Sequence, residues 1–233
     1  MTLQKFRAEL KALGSPEGAK TAQWFFKTGP GQYGEGDIFL GIKVPVLRTA
    51  CKKALDLSFV DLQILLDSAL HEERLAALII LCAQFAKTKD PHCVDFYLKN
   101  THRINNWDLV DASAPNILGL YLLTHDPKIL YELVQSSLLW ERRIAVVSTY
   151  TFIRQNQFQH TLALAEILSK DTHDLMHKAV GWMLREVGKR DQKVLEDFLQ
   201  KNAAKLPRTA LRYAIERFPE PVRKKYLTIK KYE

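Results

Sequence analysis

Trp140-Glu141-Arg142-Arg143-Ile144-Ala145 echoes an earlier stretch, Glu72-Glu73-Arg74-Leu75-Ala76-Ala77, and His177-Lys178-Ala179-Val180 and Leu211-Arg212-Tyr213-Ala214 follow in similar style. From Arg143 to Lys178 is 35 residues, and from Lys178 to Arg212 is 34. A period in that range with two helices per unit marks an α-solenoid of the HEAT or armadillo kind, shorter than the usual period of those repeats. Each helix pair is too small to bury its own apolar face, so stacking on a neighbour supplies the core. Stacking also builds an extended concave surface, which suits a long ligand better than a small one.

The punctuation between repeats agrees with a chain of short helices. Ser15-Pro16-Glu17, Asp90-Pro91 and Asp126-Pro127 each set an N-cap residue before a proline at the first helical position. Ser58 with Asp61 three residues on resembles a capping box with Asp in place of Glu. Leu62, Leu65, Leu66 and Ala69 form one apolar stripe at helical spacing, and Met176, Val180, Met183 and Val187 another. No stretch alternates for long enough to read as a strand. The expected helices cover 4–13, 16–27, 44–56, 58–69, 71–88, 91–99, 105–123, 127–136, 138–154, 158–169, 173–188, 191–202, 207–217 and 219–227. The expectation is therefore an all-α fold, one solenoid domain over 1–233 with about six to seven helical pairs.

The 233 residues carry 34 Lys and Arg against 26 Asp and Glu, a formal charge of +8 with pI near 9.3. That excess points to a polyanionic partner, nucleic acid or an anionic membrane surface. The longest apolar run, Leu75 to Ala83, is too short to span a bilayer. Met1 to Gly14 carries Lys5, Arg7, Glu9 and Lys11 in place of an apolar signal core, and Cys51, Cys82 and Cys93 are widely spaced. The expectation is a cytoplasmic protein with reduced thiols, Cys82 being a small core residue.

Two motif matches fail on context. Gly29-Pro30-Gly31-Gln32-Tyr33-Gly34 fits GxGxxG, but no strand precedes it and a proline sits inside it. A glycine-rich loop with Gly29 stopping the preceding helix is the expectation, and contact with a phosphate backbone is the alternative. His71-Glu72-Glu73-Arg74-Leu75 begins like a zinc-protease motif but has Leu75 where a second histidine is required. The remaining histidines form no ligand set with the cysteines, so no metal is expected.

Three segments offer chemistry. Lys178, Trp182, Arg185 and Lys189 are spaced to share one helical face, opposite Val180, Met183, Leu184 and Val187. That face reads either as a solvated charged surface with Trp182 packed on a neighbouring repeat, or as a platform whose indole stacks on sugar or base while the cations reach phosphates. In Asn105-Asn106-Trp107-Asp108-Leu109-Val110-Asp111-Ala112-Ser113-Ala114-Pro115, Trp107 and Asp111 lie one turn apart on one face. Pro115 has no N–H to give the Asp111 carbonyl and should interrupt the helix. The alternative is that Asp108 or Asp111 caps a turn while Trp107 fills the core. In Trp140-Glu141-Arg142-Arg143 the two arginines point about 100° apart, so one can serve an internal ion pair while the other meets a ligand, or both can be solvated. Arg208 and Arg212 could extend the basic lining.

Asn106-Trp107-Asp108-Leu109-Val110-Asp111, Leu139-Trp140-Glu141-Arg142-Arg143-Ile144-Ala145 and Lys178-Ala179-Val180-Gly181-Trp182-Met183-Leu184-Arg185-Glu186 resemble the AlkD-type bacterial DNA alkylation repair proteins, in that family's order and spacing. The similarity runs from about Thr21 to Tyr226. It implies a HEAT-like α-solenoid that holds duplex DNA in its concave face and excises N3- and N7-alkylated purines without metal or cofactor. It further implies Asp111 as the catalytic aspartate, Trp107 and Trp182 as sugar-contacting tryptophans, and Arg143 as a DNA-contacting arginine. The family often has a tyrosine near the first repeats. The best match here is Trp24, while Tyr33 lies in the glycine-rich loop.

The chemistry is compatible with those residues. Alkylation at N3 or N7 makes the purine cationic and a good leaving group. Glycosidic cleavage then passes through an oxocarbenium-like sugar. One carboxylate beside the anomeric carbon can stabilise that cation and orient water, and no general acid is required. The expected partner is double-stranded DNA containing alkylated purines, bound by a monomer away from any membrane, with the protein associated with the nucleoid. Expected DNA contacts are Trp24, Arg143, Lys178, Arg185, Lys189, Arg208 and Arg212. The rival reading on the same fold is a non-catalytic protein that binds damaged or branched DNA, and a protein-binding adaptor is a second rival.

Overall fold

A computed structural model describes residues 1–229. The fold is an all-α solenoid of stacked helix pairs. Among the described residues no strand forms, and an isolated bridge joins Ile38 to Leu70. The chain divides into two compact units, Met1–Ser113 and Ala114–Glu233.

The first unit contains α1 (Leu3–Leu13), α2 (Pro16–Phe25), α3 (Val44–Cys51), α4 (Phe59–Leu66), α5 (His71–Thr88), α6 (Pro91–Lys99) and α7 (Trp107–Ser113). Alternate helices form a row, α1 on α3, α3 on α5 and α5 on α7, while α4 and α6 also pack on α5. The starts follow the sequence signals. The Ser15 hydroxyl accepts from the Gly18 N–H, Asp90 accepts from the His92 N–H, and Ser58 and Asp61 form a reciprocal capping box. The second helix ends earlier than expected. Phe25 is its last residue and Lys27 adopts a left-handed conformation (φ 56°), so the stop falls before Gly29.

The second unit opens on a π turn, Pro115–Gly119, in which the Gly119 N–H donates to the Ala114 carbonyl. The interruption stands where Pro115 lacks an N–H, and π geometry is one way a helix absorbs such a break. There follow α8 (Leu120–Leu122), α9 (Lys128–Leu133), α10 (Leu139–Arg154), α11 (Gln159–Ile167), α12 (Asp174–Arg190), α13 (Gln192–Asn202), α14 (Arg208–Ala214) and α15 (Glu220–Thr228). Here α10, α12 and α14 form the row, with α9 and α11 against α10 and α11 and α13 against α12. Met176, Val180, Met183 and Val187 are all buried, each worth about 1.5–3 kcal/mol of transfer free energy. Gly181 sets the spacing of α12 and α14. A Cβ there would come within 2.5 Å of both the Ala210 carbonyl oxygen and Tyr213 Cβ.

No helix among the described residues is long and apolar enough to cross a membrane. The three cysteines are unpaired thiols, Cys51 and Cys93 buried and Cys82 half-buried.

Candidate functional site

In the first unit the site is built from the start of α7. The Asn106 side chain is fully buried, and its Oδ1 accepts from the Trp107 N–H at 2.8 Å, which fixes where the helix begins. Trp107 is half-buried and clamped on two sides. Its ring stacks on Phe26 at 5.3 Å and meets Phe25 edge-on at 5.8 Å, and its indole N–H donates to the Tyr33 hydroxyl at 3.3 Å. The glycine-rich loop thus contributes Tyr33 to hold the tryptophan. Asp111 follows one turn later on the same face, half-buried. Its charge adds to burial in raising the pKa of the Tyr97 phenol.

Asp108, three residues before Asp111, belongs to a buried chain of charges. His71 lies between two carboxylates, with Nδ1 at 2.9 Å from Asp37 and Nε2 at 2.8 Å from Asp108. Arg74 donates to the other Asp37 oxygen at 2.6 Å. Burial by itself would lower the His71 pKa, but the bonds to Asp108 and Asp37 outweigh it and raise the value to about 9. The ring is therefore an imidazolium at neutral pH and donates to both carboxylates. Burial would likewise raise Asp37, yet the His71 bond and the Arg74 charge hold it below its ordinary value. His71 also packs against Phe39 at 4.5 Å and Phe26 at 5.1 Å, rings that stack on each other at 5.1 Å.

The neighbours of His71 turn inward too. The Glu72 carboxylate accepts from the backbone N–H groups of Leu40, Gly41 and Ile42 at 2.7–3.1 Å. Gly41 sits at φ 82° with the Ser15 carbonyl 2.2 Å from where a Cβ would be, so only glycine fits this nest. Glu73 is buried and accepts from Arg7 at 2.9 Å. As a motif, His71-Glu72-Glu73-Arg74 fails for want of a second histidine, and its failure as a metal site hides this structural role. The available signal was four polar residues in succession at the head of a helix that continues apolar. Such a run occupies every side of the helix, so some of it must face the core.

Trp24 lies apart from this cluster at 74% exposure, with the Lys27 ammonium 5.2 Å from its ring centre.

In the second unit, Trp182 is half-buried on α12 and its ring centre lies 6.0 Å from Tyr150. The cations on its face have acidic neighbours: Lys178 pairs with Asp174 at 2.7 Å, Lys189 with Glu186 at 2.7 Å, and Arg185 with Glu216. Both arginines at the head of α10 have internal partners. Arg142 pairs with Asp171 at 2.7 Å, and Arg143, itself buried, donates to the Leu175 carbonyl at 2.7 Å. Arg208 donates to the carbonyls of Ile229 and Leu227 at the end of α15, while Arg212 is exposed. Trp107 and Asp111 are thus brought together in one unit, and Arg143, Lys178, Trp182, Arg185, Lys189, Arg208 and Arg212 belong to the other.

The family model for DNA alkylation repair enzymes matches residues 6–218. The chain belongs to the DNA alkylation repair enzyme family. A role in the repair of DNA alkylation follows from that membership. Similar folds occur in a predicted DNA alkylation repair enzyme from Enterococcus faecalis (TM-score 0.74, 18% identity, 89% of this chain and 97% of that one) and in AlkD2 from Streptococcus mutans (TM-score 0.56, 17% identity, 94% and 100%). The smu.31 protein of Streptococcus mutans UA159 is a third (TM-score 0.54, 17% identity, 94% and 99%). No curated protein matches the chain.

Proposed function

We propose that the protein is a monofunctional DNA glycosylase that hydrolyses the N-glycosidic bond of N3- and N7-alkylated purines in duplex DNA. The observation that carries this reading is the pairing of Asp111 with Trp107. A carboxylate and a clamped indole stand one turn apart on α7, both half-buried and so reachable from solvent. In the proposed mechanism the lesion's own positive charge drives departure of the base. Asp111 stabilises the oxocarbenium-like sugar and orients the attacking water. Electron-rich indole faces suit a cationic sugar, which gives Trp107 and Trp182 their roles as sugar contacts.

Lys178, Arg185, Lys189 and Arg212 would contact phosphates. The carboxylates beside Lys178 and Lys189 do not prevent this, because exposed ion pairs are worth only about 0–1 kcal/mol and can exchange for a phosphate. Arg143 and Arg208 would add positive charge while ordering backbone, and the exposed Trp24 would lie against the duplex. The protein would act as a monomeric single solenoid in the cytoplasm, associated with the nucleoid.

Single-turnover base release from methylated duplex DNA tests the reading. Wild type should release 3-methyladenine or 7-methylguanine. Asp111→Asn should fold and bind DNA but release base about 10²–10³ times more slowly, the usual effect of removing one charge-stabilising group. A wild-type rate in Asp111→Asn would remove that residue from the mechanism. No release by wild type would favour the rival reading, a non-catalytic protein that binds damaged or branched DNA. Asp108→Asn is a poor control, because Asp108 holds His71.

A further inference from the structure

The glycine-rich loop between α2 and α3, residues 28–37, is fixed along its length. The Gly29 N–H donates to the Gln32 side chain at 3.0 Å, and the Gly31 N–H to the Glu35 carboxylate at 2.8 Å. The Gly34 N–H donates to the Lys27 carbonyl at 3.1 Å, and the Asp37 N–H to the Gly34 carbonyl at 3.1 Å. Gly34 is pressed against the exit of α2, where a Cβ would stand 2.3 Å from the Phe26 carbonyl oxygen. At the far end the Asp37 side chain is buried in its bonds to His71 and Arg74. Tyr33 directly precedes Gly34, so the contacts that seat Gly34 on Phe26 also place Tyr33.

Phe26 and Tyr33 therefore act as two jaws of one piece, and Trp107 lies between them. Phe26 stacks on the indole at 5.3 Å with the ring planes 25° apart, and the Tyr33 hydroxyl accepts the indole N–H at 3.3 Å. The stack fixes the plane of the ring. A flip about the Cβ–Cγ bond would keep that plane and exchange the two edges, and only one of the two states turns the N–H toward Tyr33. The bond also occupies the indole's single hydrogen-bond donor. A free indole N–H can donate to a phosphate or to water. With that hydrogen taken up, a ligand meets ring carbon and π-electrons, and a cation is the charged partner that prefers such a surface. Donation of the N–H polarises the ring in the same sense.

We propose that Tyr33 is a positioning residue for Trp107, holding the indole so that it meets the sugar through its π-surface and favours that sugar when it is cationic. The role rests on the glycosylase reading, in which the cationic sugar is the oxocarbenium-like species beside Asp111.

Tyr33→Phe removes the hydroxyl and keeps the ring. In the isotope-labelled intact protein the four tryptophans give four indole N–H resonances, and that of Trp107 is identified by its loss in Trp107→Phe. In Tyr33→Phe its exchange with solvent should be about tenfold faster, while the other three stay unchanged. The second readout is affinity for two duplexes, one carrying a protonated pyrrolidine in place of a single deoxyribose and one carrying neutral tetrahydrofuran there. Wild type should bind the pyrrolidine duplex more tightly, and Tyr33→Phe should lose about threefold of that preference, the size of one exposed cation–π contact. If Tyr33 served packing alone, its variant would melt lower and weaken on both duplexes alike. An unchanged exchange rate, no preference in wild type, or an undiminished preference in Tyr33→Phe would each overturn the proposal. Neither readout needs base release, so the two readings fail separately. Release by wild type with a preference that Tyr33→Phe leaves intact sinks the positioning role alone. A Tyr33-dependent preference without release sinks the glycosylase reading and leaves Tyr33 as the holder of a tryptophan that binds cationic sugars without cutting.

Discussion

The head of α5 and one face of α12 are both rich in charged residues but send them in opposite directions. His71, Glu72, Glu73 and Arg74 are all buried, and each has a partner fixed by the fold, namely Asp37 and Asp108, the Leu40–Ile42 backbone, Arg7, and Asp37 again. Lys178 and Lys189 pair with near neighbours in sequence, close to solvent, while the half-buried Arg185 bridges to Glu216 on the next repeat. A buried charge cannot give up its partner without leaving the other uncompensated. A surface charge can exchange its carboxylate for any anion of similar geometry. The first arrangement fixes geometry beside Trp107 and Asp111, and the second is suited to reversible contact with a polyanion.

Asp37→Ala tests the first half of this contrast and should produce the largest effect on stability. It would leave His71 with Asp108 alone and the buried Arg74 guanidinium with no carboxylate, only the Ser68 carbonyl. Loss of one partner from a buried pair typically costs about 3–5 kcal/mol. Denaturant unfolding checks it, and a loss below about 1 kcal/mol would mean that water reaches these groups and that the cluster is not rigid.

The pH dependence should be somewhat smaller. The groups facing His71 are Asp37 and Asp108, with Arg74 beyond Asp37. The folded-state pKa of His71, about 9, lies above its ordinary 6.5. Its contribution is therefore complete below about pH 6.5 and is lost as the pH rises through 9. That difference corresponds to on the order of 3 kcal/mol at 1.36 kcal/mol per pH unit. Asp37 shifts downward, so its contribution is present above the ordinary carboxylate range and fades in acid. Thermal melting of wild type should fall between pH 6.5 and 9, and the fall should shrink in Asp37→Ala. A flat profile over that interval would show that His71 is already neutral.

The same contrast explains what could be read from sequence. The helices were legible because caps and apolar stripes are local, as Ser58 with Asp61 and the Met176–Val187 stripe show. The interruption at Pro115 was legible because it depends on a missing N–H. The stop at Lys27 was not, because a left-handed lysine has no sequence mark comparable to glycine. Trp107 and Asp111 could be paired by their spacing alone. Their surroundings could not, since Tyr33 and Asp37 reach them or their neighbours across the fold, from 74 residues before Trp107 in the case of Tyr33. The commitment of Asp108 to His71 depends on such a long-range contact, 37 residues back along the chain.

The α12 face tests the other half of the contrast, and its effect on stability should be the smallest. Lys189→Ala removes a half-exposed ammonium bound to Glu186, so unfolding free energy should change by less than about 0.5 kcal/mol. If Lys189 neutralises a phosphate, its loss should reduce the slope of log affinity against log salt by about 0.9 on duplex DNA. Glu186→Gln sharpens the test because Glu186 neighbours both Lys189, at 2.7 Å, and Arg185, at 3.6 Å. Freeing the Lys189 ammonium and removing a negative charge beside Arg185, which keeps Glu216, should raise affinity for undamaged duplex, most visibly at low salt where screening is weakest. Fluorescence anisotropy across a salt series would measure both variants beside wild type. An unchanged slope in Lys189→Ala together with unchanged affinity in Glu186→Gln would make this face a solvated surface, and duplex binding would have to be carried by other cations.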